Sequence, residues 1–434
     1  MMYKIVINCL LTAGIFAVAC QPASQETAGS EPEAPVFVDN GELELSDGFR
    51  ATVVVDSTYK NARHLVVHDN GDIYVKTRSE KGNGVLALRD SNGDGRVDQR
   101  AEFSSIGGTG MDIYQGYLYA SSKTEVFRYK LKEGSLLPDT TAEVIVTGFL
   151  EQGPHSDKPF TFDDAGNIYV NVGAPSNACM EQSRTAGSKG QDPCPQLDRQ
   201  AGIWQFKADQ LGQTQEADGH RYCTGTRNCV ALDWNHQANS LFALQHGRDQ
   251  LSMFWPDYYD DQQSAELPAE EFLQINDGDD FGWPFCYYDG FKNQKVLAPE
   301  YGGNGEEIGL CENKKDPIMA FPGHYAPNDL IFYQGDLFPE RYKNGAFITF
   351  HGSWNRAPEP QKGYLVAFVP FANGMPSGDW EIFAEGFTGV ETVAGPADAK
   401  HRPMGLAEGP DGSLYITDSV KGKIWRITYS NTSI

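Results

Sequence analysis

The sequence predicts an all-β fold, a six-bladed β-propeller. Its strand-like segments share one pattern, a turn residue followed by alternating aromatic and β-branched positions, and almost no long helical period interrupts them. Recurrence at tens of residues, with one hairpin per unit, is typical of radially repeated sheets. The six segments are Gly71–Val75, Gly116–Ala120, Gly166–Val170, Asn239–Ala243, Gly345–Thr349 and Gly412–Ile416. A parallel β-helix or a double sandwich is the alternative.

The six units are unevenly spaced along residues 41–434, which we predict to be the propeller domain. Insertions are therefore expected in the loops, and the largest one, between the fourth and fifth units, contains Cys286 and Cys311. A propeller binds its ligand where loops from several blades meet at the central channel. Functional residues should accordingly be scattered along the chain.

The N-terminal segment has the pattern of an export signal. Lys4 precedes the apolar run Ile5–Val18, which is too short to span a bilayer, and a small-residue cleavage site ends at Cys20. Residues 1–19 resemble a bacterial lipoprotein signal peptide, with an ordinary signal peptide as the alternative. Residues 20–40 lack the apolar side chains needed to fold and are predicted to be a disordered tether. We expect an exported protein on the periplasmic face, lipid-anchored at Cys20 to the outer membrane.

Composition excludes some partners and predicts disulfides. The formal net charge of −24 repels nucleic acid and anionic lipid headgroups, so membrane contact is expected only through the lipid anchor. Besides Cys9 and Cys20 the chain has an even number of cysteines, which suggests disulfides in an exported protein. Many pairings are open, and sequence proximity favours Cys179–Cys194, Cys223–Cys229 and Cys286–Cys311. No haem-attachment motif is present in the sequence.

Two loops carry residues suited to acid–base chemistry and to anion binding. His155, with Lys158 close by, precedes a predicted hairpin, and a rigid loop histidine that faces a cavity suits a general base. A surface histidine is the alternative. Arg227 lies between Cys223 and Cys229, whose disulfide would hold the rigid fork that a planar carboxylate needs. A surface salt bridge is the alternative there.

Two further loops indicate a metal and an anion. Gly247 follows a predicted strand, and glycine permits backbone carbonyls to turn toward a hard cation such as calcium. Trp354 and Arg356 follow the fifth predicted strand and suit an aromatic, anionic ligand through stacking and charge. Arg402, before the last hairpin, adds another positive charge. In so acidic a chain, arginines in three converging loops imply a local anion site.

A separate segment resembles part of a calcium loop. Asp90, Asn92 and Asp94 match its first half, but position twelve is Ala101, where that loop needs a bidentate glutamate. The favoured prediction is a tight hairpin turn, with a structural calcium ion as the alternative. Nothing in the sequence resembles a phosphate-binding glycine loop, a zinc cluster or a serine nucleophile elbow.

Taken together, the motifs resemble the pyrroloquinoline quinone (PQQ)-dependent sugar dehydrogenases, especially the sorbosone dehydrogenase-like branch. The resemblance spans about residues 45 to 430, in the order of the family. It rests on GPHSDKPFTFDDAGNIYVNVGAPSN, TRNCVALDW, LFALQHGRDQL with DDFGWPFCYYD, FPERYKNGAFITFHGSWNR and HRPMGLAEGPDGSLYITD. It implies a propeller that holds PQQ and Ca²⁺ at its channel mouth and oxidises an aldose, or a related sugar or aldehyde, to a lactone or acid. Electrons would pass to a separate acceptor, a cytochrome, a quinone or a dye.

The resemblance also assigns roles to individual residues. His155 falls on the general base, Arg227 and Asn228 match the pair that contacts cofactor carboxylate and quinone oxygens, and main-chain carbonyls of Gly247 and Arg248 fall where calcium binds. The further cofactor-binding positions are Lys158, Trp354, Arg356 and Arg402. Soluble glucose dehydrogenases have an aspartate before the catalytic histidine, whereas this chain has Pro154. The group that orients His155 must therefore lie elsewhere.

Two other functions are compatible with a propeller. A calcium-dependent lactonase-type propeller should gather acidic ligands in its channel loops, whereas the loops here are rich in arginine and histidine. A non-catalytic propeller that binds carbohydrate or a protein partner would need no ordered anion site. Dye reduction that requires PQQ and Ca²⁺ separates the dehydrogenase from both.

Overall fold

Six radial sheets make up the fold of the computed structural model, which describes residues 40–56, 60–78 and 84–430. The predicted six-bladed β-propeller is confirmed. The signal peptide, Cys20 and the tether up to residue 39 lie outside the described residues. Within the described ranges, no helix is long and apolar enough to cross a membrane.

The first three blades are antiparallel sheets that start with an inner strand at the channel. Blade 1 comprises Ala62–Val67, Ile73–Thr77, Val85–Arg89 and Gln99–Glu102. Blade 2 comprises Met111–Tyr114, Tyr117–Ser121, Val126–Lys130 and Glu143–Thr147, with Gln213–Thr214 added in parallel. Blade 3 comprises Phe160–Phe162, Asn167–Val172, Gly202–Lys207 and His220–Thr224, with Asp279–Asp280 added in parallel.

The last three blades complete and close the ring. Blade 4 comprises Ala231–Asn235, Ser240–Gln245, Glu270–Ile275 and Met319–Phe321. Blade 5 comprises Pro327–Phe332, Ala346–His351, Tyr364–Val369 and Glu381–Glu385, with Glu44–Leu45 at its edge. Blade 6 comprises Pro403–Glu408, Leu414–Asp418, Ile424–Tyr429 and the N-terminal strand Phe49–Val55. Because blade 6 joins strands from both ends of the described chain, it closes the circle of blades.

Each of the six segments singled out in the sequence overlaps the second strand of a blade. The turn before the blade 3 strand shows why the local sequence folds this way. Gly166 adopts a φ of +82°, which favours glycine, and Asp163 Oδ1 accepts the N–H groups of Ala165 and Asn167. The hairpin that follows His155 is therefore fixed by its own turn residues.

Helices are short and lie in the connections. They span Gln215–Asp218, Leu251–Phe254 and Asp261–Glu266, with 3-10 turns at Pro195–Asp198, Pro299–Tyr301, Gly309–Asn313, Glu340–Tyr342 and Pro396–Asp398. Two small hairpins pair Cys286–Asp289 with Gln294–Leu297 and Phe371–Ala372 with Met375–Pro376. The first hairpin lies in the large insertion predicted between the fourth and fifth units, which the structure places within blade 4.

Two of the three predicted disulfides are confirmed, Cys179–Cys194 and Cys286–Cys311. The third is wrong, because Cys223 and Cys229 are buried free thiols. Cys223 pairs with Ile203 in the sheet of blade 3, whereas the N–H of Cys229 donates to Asn171 Oδ1. The two backbones are thus held by separate partners, and both thiols pack into the apolar core between blades 3 and 4.

Candidate active site

His155 lies in the loop before the first strand of blade 3, and its Nδ1 is 2.6 Å from the carbonyl oxygen of Ala174. A carbonyl oxygen only accepts, so Nδ1 carries the proton and Nε2 keeps its lone pair. Gln152 Nε2 donates to the carbonyl oxygens of Pro154, His155 and Gly173 and fixes the loop. The backbone carbonyl of Ala174 thus orients the ring in place of a carboxylate at position 154.

The surroundings of His155 keep the imidazole neutral. Burial, with a smaller contribution from the positive charge of Arg227, lowers the pKa of His155 to about 3. Because Gly173 has no side chain, His155 and Asn228 can both pack closely against it. A Cβ at this position would lie 2.7 Å from His155 Cβ and 2.6 Å from Asn228 Oδ1. At neutral pH, Nε2 of His155 is therefore a proton acceptor beside the amide of Asn228.

Arg227 is held by a hydrogen-bond network. Nη1 donates to the carbonyl of Gly247 at 2.8 Å, and Nη2 donates to Asn177 Oδ1 at 3.0 Å and Asp249 Oδ2 at 2.9 Å. Nε donates to the carbonyl of Asn177 at 3.2 Å. These contacts hold the guanidinium of Arg227 in place. The predicted Cys223–Cys229 disulfide, which was expected to do so, is not formed.

Asp249 is the centre of this network. Its Oδ2 also accepts from Arg184 at 2.8 Å, and its Oδ1 accepts from Asn355 Nδ2 at 3.0 Å. Although burial raises the pKa of Asp249, Arg227, His324 and Arg184 together outweigh burial and hold that pKa well below its ordinary value. An ionised carboxylate therefore ties loops of blades 3, 4 and 5 together.

The segment predicted to bind calcium lies next to buried carboxylates. The N–H of Gly247 donates to Glu270 Oε2 at 2.9 Å, while its carbonyl accepts from Arg227. Burial raises the pKa of Glu270 to about 8. The side chain of Arg248 turns away to form a buried ion pair with Glu300, with Nη1 2.6 Å from Oε1. Only the backbone carbonyl of Arg248, and not its side chain, is therefore available for the predicted binding of calcium.

The cofactor positions predicted in the later blades differ in their surroundings. Arg402 is partly buried, and Nε and Nη2 donate to the carbonyls of His351 and Gly352 at 2.9 and 2.7 Å. Trp354 is 52% exposed, which leaves its ring available for stacking. Trp354 follows the second strand of blade 5, whereas Arg402 directly precedes the inner strand of blade 6. Their cofactor roles stay predictions.

Two other predicted cofactor positions are enclosed by protein. Arg356 is 1% exposed and donates to the carbonyls of Gly323 and Pro360, both at 3.1 Å, and to Glu266. Lys158 is fully buried, and its Nζ donates to the carbonyl of Ser156 at 2.6 Å. Burial lowers the pKa of Lys158 to about 8. Neither side chain lines the cavity beside His155.

That cavity has a volume of about 740 Å³, a size typical of small-molecule sites. Loops of blades 1, 2 and 3 form its walls, and most of the lining is polar or glycine. Besides His155, the lining residues are Arg78, Gly107, Gly108, Ser122, Lys123, Thr124, Glu151, Gly153, Pro154, Ser156 and Asp157. A neutral histidine with a free acceptor nitrogen thus faces a chamber large enough for a sugar.

The segment that resembles a calcium loop forms the turn between the third and fourth strands of blade 1. Asp90 accepts the N–H groups of Gly93 and Gly95 at 2.7 and 2.8 Å, and Asn92 Oδ1 accepts that of Asp94 at 2.9 Å. The predicted tight turn is present, and a structural calcium ion there stays a prediction. Across the described residues, no three His, Cys, Asp or Glu side chains are arranged to hold a metal.

Comparison with known families decides the classification. The sequence model of the TrAA12-like family matches residues 43–430, almost the whole propeller. The chain belongs to the TrAA12-like family. The resemblance of the sequence to PQQ-dependent sugar dehydrogenases is thereby confirmed at the level of family and fold.

Solved structures and one curated relative resemble this TrAA12-like chain. The holo form of the pyranose dehydrogenase PQQ domain from Coprinopsis cinerea is 21% identical, with a TM-score of 0.72 over 89% of this chain and 97% of that one. The calcium structure of Trichoderma reesei Carbohydrate-Active Enzymes Family AA12 is 19% identical, with a TM-score of 0.73 over 92% and 100%. The PQQ-dependent pyranose dehydrogenase of Coprinopsis cinerea is 24% identical over 255 residues, 53% of this chain and 30% of that protein.

Sequence reasoning missed several polar residues of the TrAA12-like site. Asn177, Asp249 and Asn355 form the network around Arg227, and Asp157 lines the cavity with His155. All four lie within the motifs quoted above, which is the only signal that could have marked them. Their partners are distant in sequence, so their contacts had no local pattern.

Proposed function

We propose that this chain is a PQQ- and Ca²⁺-dependent dehydrogenase that oxidises an aldose, or a related sugar, at the anomeric carbon to a lactone. The observation that carries the proposal is the geometry of His155, whose Nδ1 is fixed by Ala174 and which faces a sugar-sized cavity. Membership of the TrAA12-like family and the names of the similar proteins support the choice of cofactor and substrate class.

The side chains at the mouth of the site fit PQQ, an aromatic quinone with several carboxylates. Arg227 holds a fixed positive charge near His155, and Arg402 adds a second one before the inner strand of blade 6. Asn228 supplies a neutral amide for a quinone oxygen. Positive charge concentrated at one site of an acidic chain is the chemistry that a polyanionic cofactor requires.

Backbone carbonyls of Gly247 and Arg248 would hold calcium in this proposal. The carbonyl of Gly247 accepts a hydrogen bond from Arg227, so it points toward the group that would meet the cofactor carboxylate. Glu270 accepts the N–H of Gly247 and fixes the backbone of this segment, and a bound cation would favour ionisation of its carboxyl. The calcium structure of a family AA12 enzyme supports this metal.

PQQ would supply the hydride acceptor of the reaction, and the protein would supply the base. In this proposal the anomeric hydroxyl of the sugar lies within reach of Nε2, which takes its proton as the C–H bond breaks. The Ala174 carbonyl keeps the other ring nitrogen protonated, so the resulting imidazolium is hydrogen-bonded at Nδ1. Arg227 disfavours that cation, which helps His155 to release the proton afterwards.

The proposal also covers the electron acceptor and the cellular location of the enzyme. Electrons would leave to a separate acceptor, a cytochrome, a quinone or a dye. Export and lipidation at Cys20 would place the enzyme on the periplasmic face of the membrane, where a sugar and a cytochrome or quinone can both reach it. Globomycin treatment, which blocks lipoprotein maturation, should cause a larger precursor to accumulate, and a Cys20→Ala chain should leave the membrane fraction.

The deciding experiment titrates the purified protein with PQQ in the presence of Ca²⁺ and follows the absorption of the cofactor. A panel of aldoses is then added. We expect saturable uptake and sugar-driven reduction, and we expect His155→Ala to keep PQQ uptake but to lose about 10²- to 10⁴-fold in rate. His236→Ala, an exposed histidine paired with Asp164, is the matched control.

Absence of PQQ uptake with Ca²⁺ present would overturn the cofactor assignment. Hydrolysis of a lactone without PQQ would instead support a lactonase-type propeller. Uptake of PQQ with full activity in His155→Ala would keep the dehydrogenase but remove His155 as its base.

A further inference from the structure

We propose that the substrate is an acidic sugar, such as a hexuronic acid, and that Arg78 binds its carboxylate in the cavity beside His155. The inference rests on the proposed function for the reaction, whereas recognition of the carboxylate stands on the geometry of the cavity alone. It names a specificity-determining residue and the substrate class that this residue selects.

Arg78 and His155 line the same cavity. Arg78 follows the second strand of blade 1, and its Nη2 donates to Oδ2 of Asp157. Asp157 lies two residues after His155, so one loop carries both the base and the partner of the arginine. The side chain of Arg78 is 52% exposed, which presents its guanidinium to the cavity, whereas that of Asp157 is only 8% exposed.

Among the described residues, the wall behind Arg78 has two arginines and only one paired carboxylate, an excess of one positive charge. Asp157 Oδ2 also lies 3.7 Å from Nη2 of Arg63, so two arginines share one carboxylate. Arg63 is buried, and its Nε donates to the neutral hydroxyl of Thr109 at 2.9 Å. Burial, with a further contribution from the charge of Arg78, lowers the pKa of Arg63 to about 9. A second anion in the cavity would relieve this excess charge.

The other charged groups nearby in the described part of the chain do not cancel the excess. Arg402 is within electrostatic range of Arg63 and adds to the positive charge. Asp329 is also within range, but burial raises its pKa well above the ordinary value and keeps it largely uncharged. Lys123 and Glu151 both line the cavity with opposite charges, and Glu151 is exposed to solvent, where salt screens it.

A carboxylate is the anion that fits. The guanidinium of arginine matches a planar carboxylate in a fork geometry, and such charge-assisted hydrogen bonds are about twice as strong as neutral ones. A hexuronic acid presents a carboxylate and an anomeric hydroxyl on one ring. The cavity of about 740 Å³ holds that ring with one group at Arg78 and the other at His155.

The oxidation of such a sugar balances without a further reactant. Nε2 of His155 takes the proton of the anomeric hydroxyl, the hydrogen on the same carbon leaves as hydride to the quinone, and the C–O bond becomes a carbonyl. The product is an aldaric acid lactone, and the carboxylate bound by Arg78 stays unchanged.

The test compares galacturonate with galactose, which differ only in oxidation at carbon six. Binding to the full chain is measured by calorimetry without PQQ, so that turnover does not intervene. We expect galacturonate to bind at least 10-fold more tightly, with a preference that weakens as salt is added. Arg78→Gln should abolish the preference, and Arg78→Lys, which keeps the charge but not the fork, should retain part of it.

Arg341→Gln is the matched control, because Arg341 is also an exposed arginine, 57% in its side chain, paired with one carboxylate, Glu381. It should leave both affinities unchanged. The same variants are then loaded with PQQ, and the ratio of kcat/KM for the two sugars is measured. Arg78→Gln should lower that ratio at least 10-fold while PQQ uptake stays at the wild-type level.

Equal affinity for the two sugars, or a preference that survives Arg78→Gln, overturns the inference and leaves the proposed function intact. Loss of PQQ uptake in Arg78→Gln overturns it as well, because Arg78 would then be a cofactor ligand. If the wild-type chain takes up no PQQ but binds galacturonate through Arg78, the acidic-sugar site stands and the proposed function fails.

Discussion

Asp249 Oδ2 lies 2.9 Å from Arg227 Nη2, and both side chains are buried. The pair joins the loop after the second strand of blade 4 to the segment that enters that blade. Asn355 and Arg184 bind the same carboxylate, and Asn177 Oδ1 accepts from Nη2 of Arg227. Four side chains from three blades therefore hold the guanidinium in place. The fork proposed to meet the cofactor is thus organised by the protein alone, which lowers the entropic cost of binding.

Asp249→Asn should destabilise the protein by about 3 kcal/mol, because it leaves Arg227 buried without a counter-charge. PQQ affinity should fall as well, since the fork loses its anchor. Urea unfolding and PQQ titration measure the two effects. Arg184→Gln is the control, because it removes the partner that is 42% exposed and should cost less than about 1 kcal/mol. Equal losses in the two variants would contradict the central role of the buried pair.

The fold was predictable because its signals are local. The turn at Gly166 and the alternation from Ile168 to Val172 lie within a few residues, and the hairpin that follows His155 has the predicted strands. The site was only partly predictable. Asn355 contacts Asp249 across 106 residues of sequence, and no periodicity or spacing in one sequence reports such a contact.

The wrong disulfide illustrates the same limit. Cys223 and Cys229 are close in sequence, which favours a bond, but sheet pairing with Ile203 and a hydrogen bond to Asn171 fix their backbones separately. Similarly, nothing local distinguishes the exposed Trp354 from the enclosed Arg356, two residues apart. Burial is decided by which loops pack above them.

The pH dependence of kcat/KM should have no acid limb near pH 6. Burial lowers the pKa of His155 to about 3, so the base stays neutral from about pH 5 upward. An unperturbed histidine, with a pKa of about 6.5, would lose about tenfold in rate per pH unit below that value. Nitrogen-15 NMR of labelled histidine should find Nδ1 protonated and Nε2 bare at pH 6. A rate that falls tenfold between pH 6 and pH 5 would contradict the assigned environment.

The chain should have two thiols that become reactive only on unfolding. Cys223 and Cys229 are free and buried, and burial raises the pKa of the Cys223 thiol to about 12. In denaturant without reductant, the wild-type chain should react with two more equivalents of Ellman's reagent than Cys223→Ala/Cys229→Ala. In native buffer the two proteins should react equally. No difference in denaturant would mean that the third disulfide forms after all.

Partly enclosed carboxyls of the central channel should make stability fall as pH rises. Asp112, Asp233 and Asp329 line an inner cavity of about 470 Å³ formed by the inner strands. Burial raises the pKa of Asp112 to about 7 and that of Asp233 to about 6. Between the ordinary value near 4 and these values, the folded protein holds protons that the unfolded chain has lost, so the free energy of unfolding decreases with pH in that window.

Asp112→Asn should isolate this effect, because the amide keeps the shape and cannot ionise. Each pH unit within this window lowers the free energy of unfolding by at most about 1.4 kcal/mol per carboxyl, and water in the cavity reduces that effect. We therefore expect the variant to gain about 1–2 kcal/mol relative to wild type between pH 5 and pH 8 in urea unfolding. Asp209→Asn, at an exposed position, should show a constant difference. A constant difference for Asp112→Asn too would show that this carboxyl is already ionised in the folded channel at pH 5.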